Sequence, residues 1–118
     1  RMTDKERKRT IFIVDEDVKL LKAMKQSASS VGNVLAFGSP GNCLSTLGTL
    51  SCDLLVSDVN MPEMDGITLL AQVKAMKPHL PVLIVSAFGD IPMAVKAVKQ
   101  GAFDFLQKPL DESTFIPA

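Results

Sequence analysis

Asp58 closes an apolar run, Leu54-Leu55-Val56-Ser57, and is followed by Val59-Asn60-Met61-Pro62-Glu63-Met64-Asp65-Gly66. An ionised carboxylate at the edge of a core is costly unless it is paired or metal-bound, so an Asp delivered there by a strand invites a chemical reading. A second acidic group, Asp15, Glu16 and Asp17, follows the run Ile11-Phe12-Ile13-Val14. Ser86 and Ala87 follow Ile84-Val85, and Lys108-Pro109 follow Leu106-Gln107. Carboxylates gathered at one edge repel each other unless a divalent cation lies among them. Oxygen-only ligands point to magnesium or manganese, not zinc. A cation, a Lys and a hydroxyl together suit the oxygens of a transferring phosphoryl group. One carboxylate can then be the nucleophile and form an aspartyl-phosphate. Taken singly, each residue has a plain structural reading. Asp15 and Asp17 read as helix caps, Ser86 as a loop hydroxyl and Lys108 as a solvated charge. The conjunction at four strand ends is what favours chemistry.

The elements that must position these residues alternate along the chain. Strands are expected over Thr10–Val14, Val34–Phe37, Leu54–Ser57, Pro81–Val85 and Phe103–Leu106. Between them, apolar residues recur at helical spacing. Leu20, Leu21, Met24 and Ala28 mark a first helix over Val18–Ser30, broken by Val31-Gly32-Asn33. Ser39-Pro40 reads as an N-cap with Pro in the first turn, opening a helix to about Leu50 with Cys43, Leu44 and Leu47 inward. Ile67, Leu70, Val73 and Met76 mark the third helix, ended before Pro78. Asp90 and Pro92 open the fourth, with Ala94, Ala97, Val98 and Gly101 as a narrow inner face. A last helix is expected near Asp111-Glu112-Ser113, cut short at Ala118. The strands are continuous apolar runs, the pattern of a parallel sheet covered on both faces. The fold expected is therefore α/β and flavodoxin-like: a doubly wound five-stranded parallel sheet of order 2-1-3-4-5. In such sheets ligands sit outside the carboxyl ends of the strands, at the switch point between strands 1 and 3. Asp15, Glu16 and Asp58 occupy those ends.

The remaining composition narrows the function classes. At 118 residues and 47% hydrophobic, the chain fits one domain, with residues 1–9 as a solvated tail and 10–118 as the domain. Thirteen basic residues balance thirteen acidic ones, so no net basic field recruits nucleic acid. No apolar run is long enough to span a membrane, and no signal-peptide pattern is visible. Arg1 before Met2 reads as an added residue ahead of a native start. Cys43 and Cys52 form no metal or redox motif and read as buried free thiols of a cytosolic protein. His79, in Pro78-His79-Leu80-Pro81, reads as a surface loop residue.

Four separated motifs together resemble the receiver domain of two-component response regulators. They are Val14-Asp15-Glu16-Asp17, Ser57-Asp58-Val59-Asn60-Met61-Pro62, Val85-Ser86-Ala87 and Gln107-Lys108-Pro109. The likeness covers about residues 10 to 116. Gly89-Asp90-Ile91-Pro92-Met93-Ala94-Val95-Lys96-Ala97 is similar to the nitrogen-fixation type of transcriptional regulator. The resemblance implies that Asp58 is the phosphoacceptor. It implies a Mg²⁺ ion (or Mn²⁺) held by Asp15, Glu16, Asp58 and the backbone carbonyl of Asn60. It makes Ser86 the switch hydroxyl, Lys108 the phosphate-contacting amine, and the Lys108–Pro109 peptide cis. Phe105 takes the switch aromatic position, Ala87 keeps the approach to Asp58 open, and Asn60 and Phe88 tune phosphate lifetime. Three residues depart from the commoner pattern: Glu16 stands for Asp, Ser86 for Thr and Phe105 for Tyr.

The function so implied is a cytoplasmic signalling domain, not an enzyme. It takes a phosphoryl group from a sensor histidine kinase and switches a transcriptional output domain, through which alone DNA is contacted. With the last helix cut short and Pro117 opposing its continuation, Leu106, Leu110, Phe115 and Ile116 leave apolar surface uncovered. Self-association through the helix 4–strand 5 side is expected from that patch. Two alternatives stand beside this reading. A haloacid-dehalogenase-type phosphatase would use Asp15 as nucleophile and Asp17 as acid. A pseudo-receiver would serve as an interaction module without phosphorylation.

Overall fold

The computed structural model describes residues 9–30, 32–59, 61, 63–86 and 91–107. Among these residues five strands alternate with four helices: β1 (Arg9–Val14), α1 (Val18–Ala28), β2 (Gly32–Phe37), α2 (Pro40–Leu47), β3 (Leu54–Asp58), α3 (Gly66–Met76), β4 (Val82–Ser86), α4 (Ile91–Lys99) and β5 (Asp104–Gln107). The strands form one sheet of order β2-β1-β3-β4-β5, with every pairing parallel. This is the expected doubly wound order. The last helix expected from Asp111 onward lies outside the described residues.

Strand alternation splits the core in two. Phe12 and Val14 of β1 face α2, α3 and α4, packing with Cys43, Leu47, Leu69, Leu70, Val73 and Ala97. Ile11 and Ile13 face the other way, with Val56, Leu83 and Val85, onto Leu21, Met24 and Ala28 of α1. Every residue of β4 is buried, which is why its sequence reads as an unbroken apolar run. Burial pushes the Cys43 thiol up to about 12 and the Cys52 thiol up to about 11. Both are free cysteines, and neither is a reactive thiolate at neutral pH.

The helix ends follow local chemistry. The Asp17 side chain caps α1, accepting from the amides of Lys19 and Leu20. Ser39 caps α2 through the amide of Asn42, with Pro40 at the first helical position, as expected. That helix stops at Leu47, with Gly48 as its C-cap, short of the Leu50 expected. Helix α4 ends in a Schellman motif. Ala102 N donates to Ala97 O, Gly101 N donates to Val98 O, and Gly101 takes φ +102°.

Three expectations are corrected. Gly32 belongs to β2, paired with Arg9, instead of to a break between elements. A side chain there would strike the Arg9 carbonyl, so glycine lets the first rungs of β1 and β2 close. On α4, Val98 is 54% exposed and only Ala97 is fully buried. Met93, four residues before Ala97, packs against the core instead of Val98, and Gly101 serves the helix end. Strand β5 starts at Asp104, leaving Phe103 74% exposed.

Candidate functional site

The carboxyl ends of β1, β3 and β4 deliver three buried polar side chains. Asp15 is 1% exposed, Asp58 7% and Ser86 3%. The register pairs Val14 with Ser57, so the next residues, Asp15 and Asp58, leave neighbouring strands side by side. Asp58 lies opposite Val85, which directly precedes Ser86. The expected convergence of Asp15, Asp58 and Ser86 on one sheet edge is therefore present.

Each is held by backbone geometry. Asp15 Oδ1 accepts a hydrogen bond from Asp17 N at 2.9 Å, while Asp15 N donates to Phe37 O at 3.0 Å. The acidic turn is thus tied to the end of β2 and directs one carboxylate inward. Glu16 and Asp17 are exposed; Asp17 is spent as the α1 cap, its plain structural reading. At β3, Val59 N donates to Val85 O at 3.0 Å and Gly66 N donates to Val59 O at 2.8 Å. The chain then turns into α3, whose cap Asp65 accepts from Thr68 N at 2.7 Å. That hydrogen bond, with a smaller contribution from Lys96 on α4, holds the Asp65 carboxyl below its usual range.

The loop between β3 and α3 is anchored at several points. Met61 is buried and Met64 packs against the core. Ser39 Oγ, at the start of α2, donates to Glu63 Oε2 at 3.3 Å. Glycine at 66 is required by close approach. A Cβ there would lie 2.9 Å from Val59 Cα and 3.1 Å from the Asp58 carbonyl carbon.

Among the described residues, no group of three or more His, Cys, Asp or Glu is arranged to hold a metal. The donors that are gathered are the two buried carboxylates, Asp15 and Asp58. Their oxygen donors are of the kind that a hard divalent ion takes. Phe105, the expected switch aromatic, is half-buried on β5 against the larger core cluster, in register with Ile84. Asn60, Ala87, Phe88, Asp90, Lys108 and Pro109 lie outside the described residues. Sequence reasoning overlooked Ser57. It is fully buried, and its Oγ donates to the Asp58 carbonyl oxygen at 2.9 Å. The available signal was a lone hydroxyl inside an apolar run, next to the key carboxylate.

Residues 11–118 match the family described as the response regulator receiver domain. The chain is 40% identical over 109 residues to the response regulator protein TmoT of Ectopseudomonas mendocina, covering 92% of this chain and 50% of that protein. It is 42% identical over 101 residues to the DNA-binding transcriptional regulator NtrC of Klebsiella pneumoniae, covering 85% of this chain and 22% of that protein. Across such curated relatives the chain spans half of their length or less. Among solved structures, the CheX–CheY–BeF3–Mg complex of Borrelia burgdorferi superposes with a TM-score of 0.86 at 27% identity, over 94% of this chain and 86% of that one.

Proposed function

Since this chain belongs to the response regulator receiver domain family, we propose that Asp58 is its phosphoacceptor, receiving a phosphoryl group from the phosphohistidine of a sensor kinase. The observation that carries this reading is a buried carboxylate at the end of β3, beside the buried Asp15. An Asp58 oxygen attacks phosphorus as the N–P bond to the donor histidine breaks, leaving imidazole and an aspartyl-phosphate. Asp15, Glu16, Asp58 and the Asn60 carbonyl would hold Mg²⁺, as would suit Mn²⁺. When bound, such a cation neutralises phosphoryl oxygens. The complex of the CheY neighbour, whose name includes magnesium and beryllofluoride, supports that choice. In this reading Lys108 contacts the phosphoryl oxygens. Ser86, buried one residue beyond the Asp58-paired Val85, donates its hydroxyl to another and couples the site to Phe105. Asn60 and Phe88 set phosphate lifetime, since an apolar ring at 88 offers nothing to orient water.

The domain acts in the cytoplasm as a switch and not as a turnover enzyme. No helix among the described residues is long and apolar enough to cross a membrane. Its output is transcriptional, through a separate domain that contacts DNA, in keeping with the DNA-binding relative. Ile91, Val95 and Val98 form an exposed apolar stripe on the outer side of α4. Their spacing supports self-association on the α4–β5 side. Light scattering across a concentration series tests it; a strict monomer throughout would refute it.

The deciding experiment is intact-mass analysis after incubation with acetyl phosphate and Mg²⁺. The expected result is one phosphoryl group on the native chain, none on Asp58→Asn, and weak labelling of Asp15→Asn. Full labelling of Asp58→Asn would refute the assignment. Labelling abolished only in Asp15→Asn would favour the dehalogenase-type alternative. An unlabelled native chain would mean a pseudo-receiver.

A further inference from the structure

Ser57 is fully buried in β3 between Val14 of β1 and Ile84 of β4. A hydroxyl buried in an apolar layer is costly unless it is hydrogen-bonded. Ser57 Oγ has its partner in the next residue's backbone, the Asp58 carbonyl oxygen, at 2.9 Å.

The location of that oxygen explains the bond. Along β3, the amides of Leu55 and Val59 donate to Pro81 and Val85, on the β4 side. Peptide groups of alternate residues point to opposite neighbours, so the intervening Asp58 is directed toward β1. The β1–β3 register ends at the Val14–Ser57 pair, and Asp15 N turns away to Phe37 of β2. The Asp58 carbonyl thus lies one step past the last β1 rung, where the Ser57 hydroxyl donates to it. The start of α3 bears on the same group, because a Cβ on Gly66 would overlap this oxygen. The peptide that joins Asp58 to Val59 is held on its N–H side by Val85 O of β4, and on its carbonyl side by a hydroxyl from within its own strand and a close-packed helix start.

We infer that Ser57 is a positioning residue for phosphoryl transfer: its hydroxyl fixes the Asp58 peptide, and with it the direction from which the Asp58 carboxylate meets phosphorus. The inference rests on Asp58 being the acceptor. In-line transfer depends on sub-ångström placement of the attacking oxygen, and a backbone hydrogen bond in a buried site is a direct means of holding it.

The test compares native protein, Ser57→Ala and Ser57→Thr in acetyl phosphate labelling at saturating Mg²⁺, with thermal melts alongside. Ser57→Ala is expected to lower the maximal labelling rate about five-fold, the equivalent of about 1 kcal/mol for one neutral hydrogen bond. The acetyl phosphate concentration at half-maximal rate should stay unchanged. Ser57→Thr keeps the hydroxyl and is expected to recover most of the rate. The carbonyl ¹³C resonance of Asp58 should shift in Ser57→Ala and return in Ser57→Thr. A native rate and an unmoved Asp58 carbonyl in Ser57→Ala would overturn the inference while leaving Asp58 as acceptor. So would an equally slow Ser57→Thr that melts like the native chain. If Ser57→Thr melts early, the comparison within Ser57→Ala decides: a slowed rate with a shifted Asp58 carbonyl supports the inference, and either one unchanged refutes it. Failure of the native chain to label at Asp58 would instead remove the reading on which the inference rests.

Discussion

Gly66→Ala should destabilise this domain although alanine is the better helix former. The added Cβ would lie 2.9 Å from Val59 Cα and 3.1 Å from the Asp58 carbonyl carbon, and would overlap the Asp58 carbonyl oxygen. Ordinary contacts between carbon atoms lie near 3.5–4.0 Å, so the start of α3 must retreat from β3 by roughly 1 Å. All three obstructing atoms are backbone, so no side-chain rotation can relieve them. Overpacking of this kind costs about 1–3 kcal/mol, against a helix-propensity gain of at most about 1 kcal/mol. A net loss of about 1–2 kcal/mol should lower Tm by roughly 4–10 °C in a domain of this size. Gly48→Ala is the matched control. Its Cβ would meet nothing closer than Ser45 O at 3.5 Å, and its backbone is right-handed helical, φ −70° and ψ −18°. Alanine there should be neutral or stabilising by up to about 1 kcal/mol. Calorimetry of both variants, in one buffer, checks the pair. A Gly66→Ala protein that melts at or above the native temperature would refute the close-packing argument. So would a Gly48→Ala protein that loses as much.

Asp65→Ala should cost about 1 kcal/mol at pH 7, the usual worth of an N-cap, and Asp65→Asn much less. The Asp65 carboxyl is held low by the Thr68 amide, so its contribution is complete above the unfolded carboxyl value of about 3.9 and fades as pH falls through the lower folded value. Urea melts at pH 7 and near pH 2 should therefore show the Asp65→Ala deficit shrinking in acid; a constant deficit would contradict the cap's ionic character. Glu16→Gln should weaken Mg²⁺ binding several-fold by removing one charge beside Asp15, and an unchanged affinity by titration would take Glu16 out of the metal set. In amide hydrogen exchange, α4 should exchange faster than α3, because α3 buries Gly66, Ile67, Leu69, Leu70 and Val73 and α4 only Ala97. Equal protection would count against the burial argument.

The sheet was legible because strands buried on both faces leave no room for polar residues until they end. Val82–Ser86 is buried throughout, so the first polar side chain marks the rim and Ser86 could be placed from sequence. The same logic placed Asp15; at β3 the first polar side chain is the buried Ser57, one residue short of the rim, and the carboxylate of Asp58 marked the end. It did not separate Asp15, which turns inward, from Glu16, which is exposed. That depends on Asp15 N reaching Phe37 O across to β2, a contact between segments distant in sequence. The inner face of α4 was misread for a different reason. Ile91, Met93, Ala94, Val95, Ala97 and Val98 make the helix apolar nearly all round, and periodicity cannot choose among several apolar stripes. Packing chose Ala97, with Met93 beside it, and left Val98 outside. The need for glycine at 66 was not legible, since its closeness to the Asp58 carbonyl exists only once α3 docks on β3.

These constraints divide the molecule by rigidity. Asp58 is fixed by pairing to β4, by the Ser57 hydroxyl and by the pressed start of α3. Helix α4 is secured most clearly at its far end, where Ala102 and Gly101 close on Ala97 and Val98, and where Lys74 lies against Gly101 while donating to Leu80 O at 2.9 Å. Toward the site end, Ile91 is 78% exposed, while Met93 packs against the core. A domain that converts a new charge at Asp58 into a change of shape needs this asymmetry. If the acceptor yielded, the charge would be absorbed locally; if α4 were buried as deeply as α3, the free energy of one phosphoryl contact could not move it. The exposed α4 stripe of Ile91, Val95 and Val98 is the surface that a shift of α4 would alter. For that reason the proposed self-association and the proposed phosphorylation should be thermodynamically linked, each changing the other's equilibrium by the same factor.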